Sequence, residues 1–273
     1  MPFRYLARRL ALLSVVVCGF SAEAVAREAC TVVLRADDGA EIHRSGRDCD
    51  TRFSPASTFK PVLALIGIEA GILTSPDAPA VAYDPAINAR FEGWRQTTTP
   101  RRWLKRSVLW YSQWLTRQLG MQRFQAHIDR LDYGNRDLSG DPGKDNGLTH
   151  AWLGSSLKIS PVEQAVFLRR WVNRELPLSA ATYAMADEMI EHFETDDPGL
   201  DVVGKTGTAW AVDANGNRLR TQNGWFVGWA EKDGVRYVFA RLDVENKPQK
   251  GIASRRTRER LLADLPGMLA ARR

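Results

Sequence analysis

Apolar residues recur along this chain with two different periods, and the two periods divide it into distinct stretches. Spacings of three and four residues are typical of helices that bury one face. They occur in the middle of the chain and again at its end, over 59–72, 107–131, 161–173 and 256–271. Short β-branched and aromatic runs, typical of strands, lie on either side of the middle stretch.

The strand-like runs lie near the two ends of the chain. Residues 30–45 predict two short strands around an Asp38-Gly39 turn. Three late runs predict an antiparallel meander with Asn-Gly and Asp-Gly turns; they span 201–212, 221–231 and 235–244. We therefore expect an α+β fold, with one antiparallel sheet built from both chain ends, flanked by helices, and a mainly helical lobe inserted between them.

The first 26 residues have the pattern of a secretory signal peptide. Three arginines precede an apolar run from Leu10 to Phe20, which is too short to span a bilayer. Ala24-Val25-Ala26 then supplies the small residues of a cleavage site. We expect a mature chain of residues 27–273, exported to the periplasm, with no stable membrane association.

The mature chain is long enough for one domain with two packed lobes. The pattern assigns 27–60 and about 195–273 to a sheet lobe, and about 61–194 to the helical lobe. Residues 1–26 carry three Arg and one Glu, so their removal lowers the net charge from +6 to +4. The remaining charges are scattered, which argues against nucleic-acid binding. We expect a monomer or a homodimer that acts on small molecules.

Cysteine and histidine usage restricts the chemistry further. Cys30 and Cys49 flank the first predicted hairpin and can close a disulfide in an oxidising compartment, although two free buried thiols fit the sequence equally well. The four histidines stand alone, without the spacing of metal ligands. We therefore expect no metal centre and no metallo-hydrolase.

A serine and a lysine lie one helical turn apart where the first long helix begins. Ser54 can cap this helix, and Pro55 suits its first turn. Ser57 then falls in the first turn, with Lys60 three residues later on the same face. Unpaired backbone N–H groups there can stabilise an oxyanion, and a neutral lysine can take the hydroxyl proton. The apolar run after Lys60 predicts its burial, which lowers a lysine pKa.

Two competing motif matches fail on their structural context. Ser155 and Lys158 repeat the serine–lysine spacing, but a capping box at 160–163 places the helix start after them. Residues 199–206 match the phosphate-binding loop G-x-x-x-x-G-K-[ST], yet a strand and a hairpin follow where that loop requires a helix. We therefore interpret 205–207 as the K-T-G triplet of a penicillin-recognising serine enzyme. Ser107, which we place at the start of the next long helix, completes the constellation.

Four motifs, in this order, resemble those of the class D serine β-lactamases over nearly the whole mature chain. They are S-T-F-K at 57–60, Y-G-N at 133–135, Ala151-Trp152-Leu153, and K-T-G at 205–207. The resemblance implies the serine β-lactamase and penicillin-binding transpeptidase fold. It also implies hydrolysis of penicillins, of the oxacillin type, through an acyl-enzyme.

The resemblance further implies a role for each residue. Ser57 is acylated by the β-lactam carbonyl, and Lys60, carboxylated by CO2 to N6-carboxylysine, is the general base for acylation and deacylation. Ser107 and Lys205 relay a proton to the ring nitrogen, and Trp152 donates to the carbamate. The N–H groups of Ser57 and Thr208 form the oxyanion hole. Further expected substrate contacts are Thr206, Gly207, Thr208, Leu109 and Tyr133. No cofactor other than CO2 is implied.

Three positions depart from the family pattern. Leu109 stands where the family has the valine of S-x-V, near the carbamate, and Gly154 comes one residue early after the tryptophan. No arginine aligns cleanly at the start of the last helix, where Ser254 or the neighbouring Arg255 takes the place, so this carboxylate contact is left open. A D,D-peptidase or β-lactam sensor shares the same motifs and remains an alternative. Intact motifs argue against a secreted binding protein with a decayed site.

Overall fold

A six-stranded antiparallel sheet runs through the computed structural model, which describes residues 25–213 and 217–270. Its strands are β1 (Ala26–Arg35), β2 (Glu41–Ser45), β3 (Glu191–Phe193), β4 (Leu200–Val212), β5 (Arg218–Lys232) and β6 (Val235–Glu245). Their spatial order is β2-β1-β6-β5-β4-β3. Because β1 pairs with β6, the first strand lies beside the last one, which confirms the expectation of a sheet assembled from both chain ends.

The helical lobe occupies the chain between β2 and β3. Its helices are α1 (Lys60–Glu69), α2 (Pro100–Arg106), α3 (Leu109–Leu131), α4 (Gly147–His150), α5 (Pro161–Val172) and α6 (Ala180–Met189), with short 3-10 helices at Ala56–Phe59 and Glu92–Trp94. Helix α7 (Ala253–Ala270) follows the sheet. Over the described ranges, no helix combines the length and apolarity that a bilayer crossing needs. Residues 1–24 of the expected signal peptide and the Asn215-Gly216 turn lie outside these ranges.

Both faces of the sheet are covered. On one face α7 packs Leu261, Leu265 and Leu269 against Phe226 and Phe239 of β5 and β6. On the other face the helical lobe contributes the larger cluster of buried side chains, which reaches the sheet mainly through α5. A strand covered on both faces reads as a continuous apolar run rather than an alternating one, and the buried stretches of β5 and β6 have this pattern.

Several predicted boundaries were wrong. Helix α7 begins three residues before the predicted start, and α2, α4, α6 and the short strand β3 were not predicted at all. Helices α2 and α6 each carry a side-chain cap: Thr99 accepts from the Arg102 N–H, and Ser179 accepts from the Thr182 N–H. Their short or weakly amphipathic sequences hide the period, so the caps were the only strong local signal.

The first hairpin carries a disulfide bond between Cys30 and Cys49. Of the two alternatives that the sequence allowed, the structure therefore has the disulfide and not the two free thiols. The bridge ties the buried β1 to the segment that leads into the 3-10 helix at Ala56–Phe59. In the chain-entropy description, such a cross-link stabilises the fold mainly by restricting the unfolded chain.

Candidate active site

Ser57 and Lys60 lie at the junction of the first 3-10 helix and α1. The Lys60 Nζ donates to the Ser57 Oγ at 3.1 Å, as the i+3 spacing predicts. Lys60 is only 1% exposed. Burial, reinforced by the positive charge of Lys205, holds the pKa of the Lys60 amine well below its usual range. The amine, whose neutral form burial favours, lies within hydrogen-bond reach of the serine hydroxyl.

The turn before Ser57 is held by the loop that carries Trp152. Ala56 takes a left-handed φ of 50°, which is costly for a residue with a Cβ atom, and its N–H donates to the Trp152 carbonyl at 3.1 Å. Ser54 does not cap the helix as predicted. Its hydroxyl donates to the same carbonyl at 2.7 Å and accepts from the Gly154 N–H at 2.7 Å. The predicted helix cap thus links the turn before Ser57 to the loop that carries Trp152.

Gly207 brings β4 against the nucleophile. Strand β3 pairs with β4 only as far as Gly204, so the following edge of β4 is left for the 3-10 helix. A Cβ atom on Gly207 would lie 2.9 Å from both the Pro55 O and the Thr58 N. Since these are backbone atoms that cannot turn aside, only glycine permits this approach.

Lys205 supplies a buried cation beside Lys60. It is 5% exposed, and burial lowers its pKa to about 8 against the opposing effect of the Glu191 carboxylate. Its Nζ donates to the Thr206 carbonyl at 3.0 Å. With this pKa, the ammonium form predominates at neutral pH and can hold a carboxylate.

Two buried polar atoms of the predicted site have no hydrogen-bond partner in the described part of the chain. They are the Trp152 Nε1 and the Ser107 Oγ. An unpaired buried donor costs on the order of 1–3 kcal/mol, so a ligand or a modified side chain that pairs with either atom is stabilised. The Trp152 ring centroid lies 5.6 Å from the ring centroid of Phe59, which belongs to the S-T-F-K motif.

Ser107 does not begin the long helix as predicted. It ends α2 with a left-handed φ of 57°, and α3 begins at Leu109. Within the described residues no hydrogen bond joins Ser107 to Lys205. The predicted relay between them therefore stays a prediction.

The residues expected to contact the substrate differ in solvent exposure. Thr206, Thr208 and Leu109 are partly exposed. The Thr208 hydroxyl donates to the Ser254 Oγ at 2.8 Å, which places Ser254 beside the K-T-G strand, whereas Arg255 is exposed. Ser254 therefore lies beside Thr208, while the carboxylate contact that the sequence left open between Ser254 and Arg255 stays open.

Tyr133 is fully buried and therefore has no surface with which to meet a substrate in this conformation. Its hydroxyl donates to the Gln164 Oε1 at 3.3 Å. The Gln164 Nε2 in turn donates to the Thr58 Oγ1 at 2.9 Å, and Thr58 donates to the Pro55 carbonyl at 2.7 Å. Sequence reasoning missed Gln164, whose only signal was a polar residue on the buried face of α5.

Comparisons with known proteins agree with this geometry. Residues 29–263 match the family described as the penicillin binding protein transpeptidase domain. The chain is 43% identical over 244 residues to β-lactamase OXA-9 of Klebsiella pneumoniae, covering 88% of each chain. The crystal structure of the class D β-lactamase OXA-427 is 44% identical, with a TM-score of 0.81, over 88% of this chain and 98% of that one.

A third similar structure is that of a receptor domain. The C-terminal domain of the Bacillus licheniformis BlaR penicillin receptor is 26% identical, with a TM-score of 0.75, over 89% of this chain and 92% of that one. The family match, the identity to OXA-9 and the site geometry together lead to one conclusion. The chain belongs to the class D β-lactamases, within the penicillin-binding transpeptidase family.

Proposed function

We propose that this protein hydrolyses penicillins through an acyl-enzyme on Ser57. The observation that carries the proposal is the buried Lys60 amine, which lies 3.1 Å from the Ser57 hydroxyl and whose pKa is lowered by burial. A nucleophile with a base in hydrogen-bond reach is the signature of covalent acyl transfer. The proposal agrees with the relatives, which are named β-lactamases.

Lys60 is well suited to carboxylation. Only an unprotonated amine combines with CO2, and burial lowers the pKa of this amine and so favours its unprotonated form. The Trp152 Nε1–H is a buried donor that has no acceptor among the described residues, so it can donate to a carbamate on Lys60. When formed, the carbamate supplies a carboxylate as general base for acylation and deacylation.

The chain's own residues then divide the remaining tasks. The Ser57 N–H lies in the first turn of the 3-10 helix, where N–H groups lack a partner within the helix, and it donates to the developing oxyanion together with the Thr208 N–H. Lys205 and Thr206 hold the substrate carboxylate. The Ser107 hydroxyl, which has no hydrogen-bond partner in the described part of the chain, passes a proton from Lys205 to the departing ring nitrogen.

The second candidate is a β-lactam sensor, which the similarity to the BlaR receptor domain favours. A sensor is acylated in the same way but does not deacylate. Leu109, in place of the family's valine, is the residue that would restrict water at this step. Export to the periplasm, proposed from residues 1–26, is tested separately by sequencing the N-terminus of the protein recovered from the periplasm.

An intact-mass time course with benzylpenicillin separates these functions. We expect an adduct that appears on the wild-type protein and clears as penicillin is consumed, and none on Ser57→Ala. A persistent adduct would establish the sensor instead. The Ser155→Ala variant is the matched control, because Ser155 repeats the spacing to a lysine outside the site. Unmodified protein with intact penicillin would contradict both functions.

A further inference from the structure

Trp210 lies on β4 beyond the K-T-G motif, on the side where a bound penicillin would extend. Thr206, Thr208 and Trp210 are partly exposed while the residues between them are buried, so the three share one strand face. Strand geometry places Trp210 about 7 Å beyond Thr208. In the proposed binding mode the carboxylate meets Thr206 and the reacting carbonyl meets Thr208. The acyl side chain at the other end of the molecule then extends toward Trp210.

Two arginines stack on this tryptophan. The Arg218 guanidinium carbon lies 3.9 Å from the Trp210 ring centroid, and the Arg90 guanidinium carbon lies 5.8 Å from it. Arg90 also lies 5.1 Å from the ring centroid of Phe91. Both distances to Trp210 are within the range of cation–π attraction, which holds the guanidinium planes against the rings. We call Arg90, Trp210 and Arg218 the arginine–tryptophan clamp.

The clamp joins the two lobes at the mouth of the site. Arg218 and Trp210 belong to the sheet, whereas Arg90 belongs to the segment between α1 and α2. That segment is fixed beside Ser107, since the Trp94 Nε1 donates to the Arg106 carbonyl at 2.9 Å and the Trp94 carbonyl accepts from the Trp110 Nε1 at 2.8 Å. The arginine thus projects from an anchored loop.

Both guanidinium groups keep their hydrogen-bonding capacity. Arg90 and Arg218 are exposed, and neither has an ion-pair partner within residues 25–213 and 217–270. A stacked guanidinium retains its in-plane N–H donors for a carboxylate. The mouth of the site therefore presents two cations that form no ion pair with any described residue.

From these observations we infer that the arginine–tryptophan clamp is a specificity subsite for β-lactams whose acyl side chain carries a second carboxylate. The inference rests on the proposed function, because the clamp acts on the substrate of that site. It assigns Arg90 and Arg218 to binding the side-chain carboxylate, separately from the ring carboxylate at Lys205 and Thr206. The clamp's field also favours the encounter with a dianionic substrate.

The test compares carbenicillin with benzylpenicillin, which lacks only the side-chain carboxylate. We expect Arg90→Ala and Arg218→Ala each to lower the ratio of kcat/KM for carbenicillin to that for benzylpenicillin by roughly 1.5- to 5-fold, the range of exposed ion pairs. The double variant should also lose the steeper fall of the carbenicillin value with added salt. Arg236→Ala is the matched control, since it removes an exposed arginine at the opposite end of the same sheet.

The outcomes are distinct. An unchanged ratio in the double variant, or equal losses on both substrates, would overturn the clamp while leaving the proposed function intact. Wild-type protein that fails to hydrolyse benzylpenicillin would overturn the proposed function and the clamp with it. A reversed preference in Arg90→Glu, with benzylpenicillin turnover preserved, would support the assignment.

Discussion

The site has a buried floor, formed by Lys60 and Lys205, and an exposed rim, formed by Arg90 and Arg218. Different interactions determine the properties of these two regions. On the floor, Lys60 and Lys205 are 1% and 5% exposed, and burial shifts the pKa of both amines downward. On the rim, Arg90 and Arg218 are exposed and stack on aromatic rings. Charges in a low-dielectric floor interact strongly, whereas water and salt weaken those at the rim. In the proposed function the floor therefore carries the chemistry, and the proposed arginine–tryptophan clamp at the rim selects among substrates.

The largest expected effect is on the floor. Lys60→Ala removes the base, and we expect kcat for benzylpenicillin to fall by about 10²- to 10⁴-fold, with an acyl adduct that forms slowly and persists. Stopped-flow and intact-mass measurements separate the two steps. Lys158→Ala is the matched control, because Lys158 is exposed and lies three residues after a serine outside the site. Rapid turnover by Lys60→Ala would reject its assigned role.

A second prediction concerns the close approach of β4. In Gly207→Ala the new Cβ atom meets backbone atoms of Pro55 and Thr58 at 2.9 Å, so the strand or the 3-10 helix must move. We expect a loss of about 1–3 kcal/mol in the free energy of unfolding, and a fall in kcat of up to about 100-fold from a displacement near 1 Å. Gly267→Ala, with no atom near the added Cβ, should change neither by much. Full activity in Gly207→Ala would show that the approach is not required.

A third prediction concerns the buried Trp152 Nε1–H, which has no acceptor among the described residues. Trp152→Phe keeps the ring and removes the Nε1–H, so it should weaken carboxylation of Lys60 and slow turnover by roughly 10- to 100-fold, the value of a hydrogen bond to a charged group. Added bicarbonate should restore part of the activity. Trp103→Phe is the control, since the Trp103 Nε1 donates to Ser112 inside the helical lobe. Equal losses in both variants would indicate packing rather than donation.

The smallest of these effects comes from pH. Lys205 is protonated below its pKa of about 8 and neutral above it. Its ammonium form falls from about nine-tenths at pH 7 to one-tenth at pH 9, so KM for benzylpenicillin should rise roughly tenfold over that interval. The substrate carboxylate stays ionised throughout. Lys205→Arg, which keeps its charge, should flatten the profile, and a flat wild-type profile would contradict this role.

The sequence by itself determined the class of fold and the candidate residues of the site. Apolar periods separated the strands of both ends from the helices between them, because strand and helix periods differ. The spacing of Ser57 and Lys60 placed both on one helical face, since helical geometry is local. Turn chemistry and the strand context of Lys205 likewise excluded a phosphate loop without any knowledge of the tertiary structure.

Only the tertiary structure decided how these local pieces meet. Ser54 reads as a helix cap, yet its hydroxyl joins Trp152 and Gly154, about a hundred residues away in the chain. Tyr133 reads as a cleft residue but is buried against Gln164. The stacking of Arg90 on Trp210 likewise joins segments more than a hundred residues apart. Hydrogen bonds, burial and ring contacts depend on neighbours in space, and a one-dimensional pattern records only neighbours along the chain.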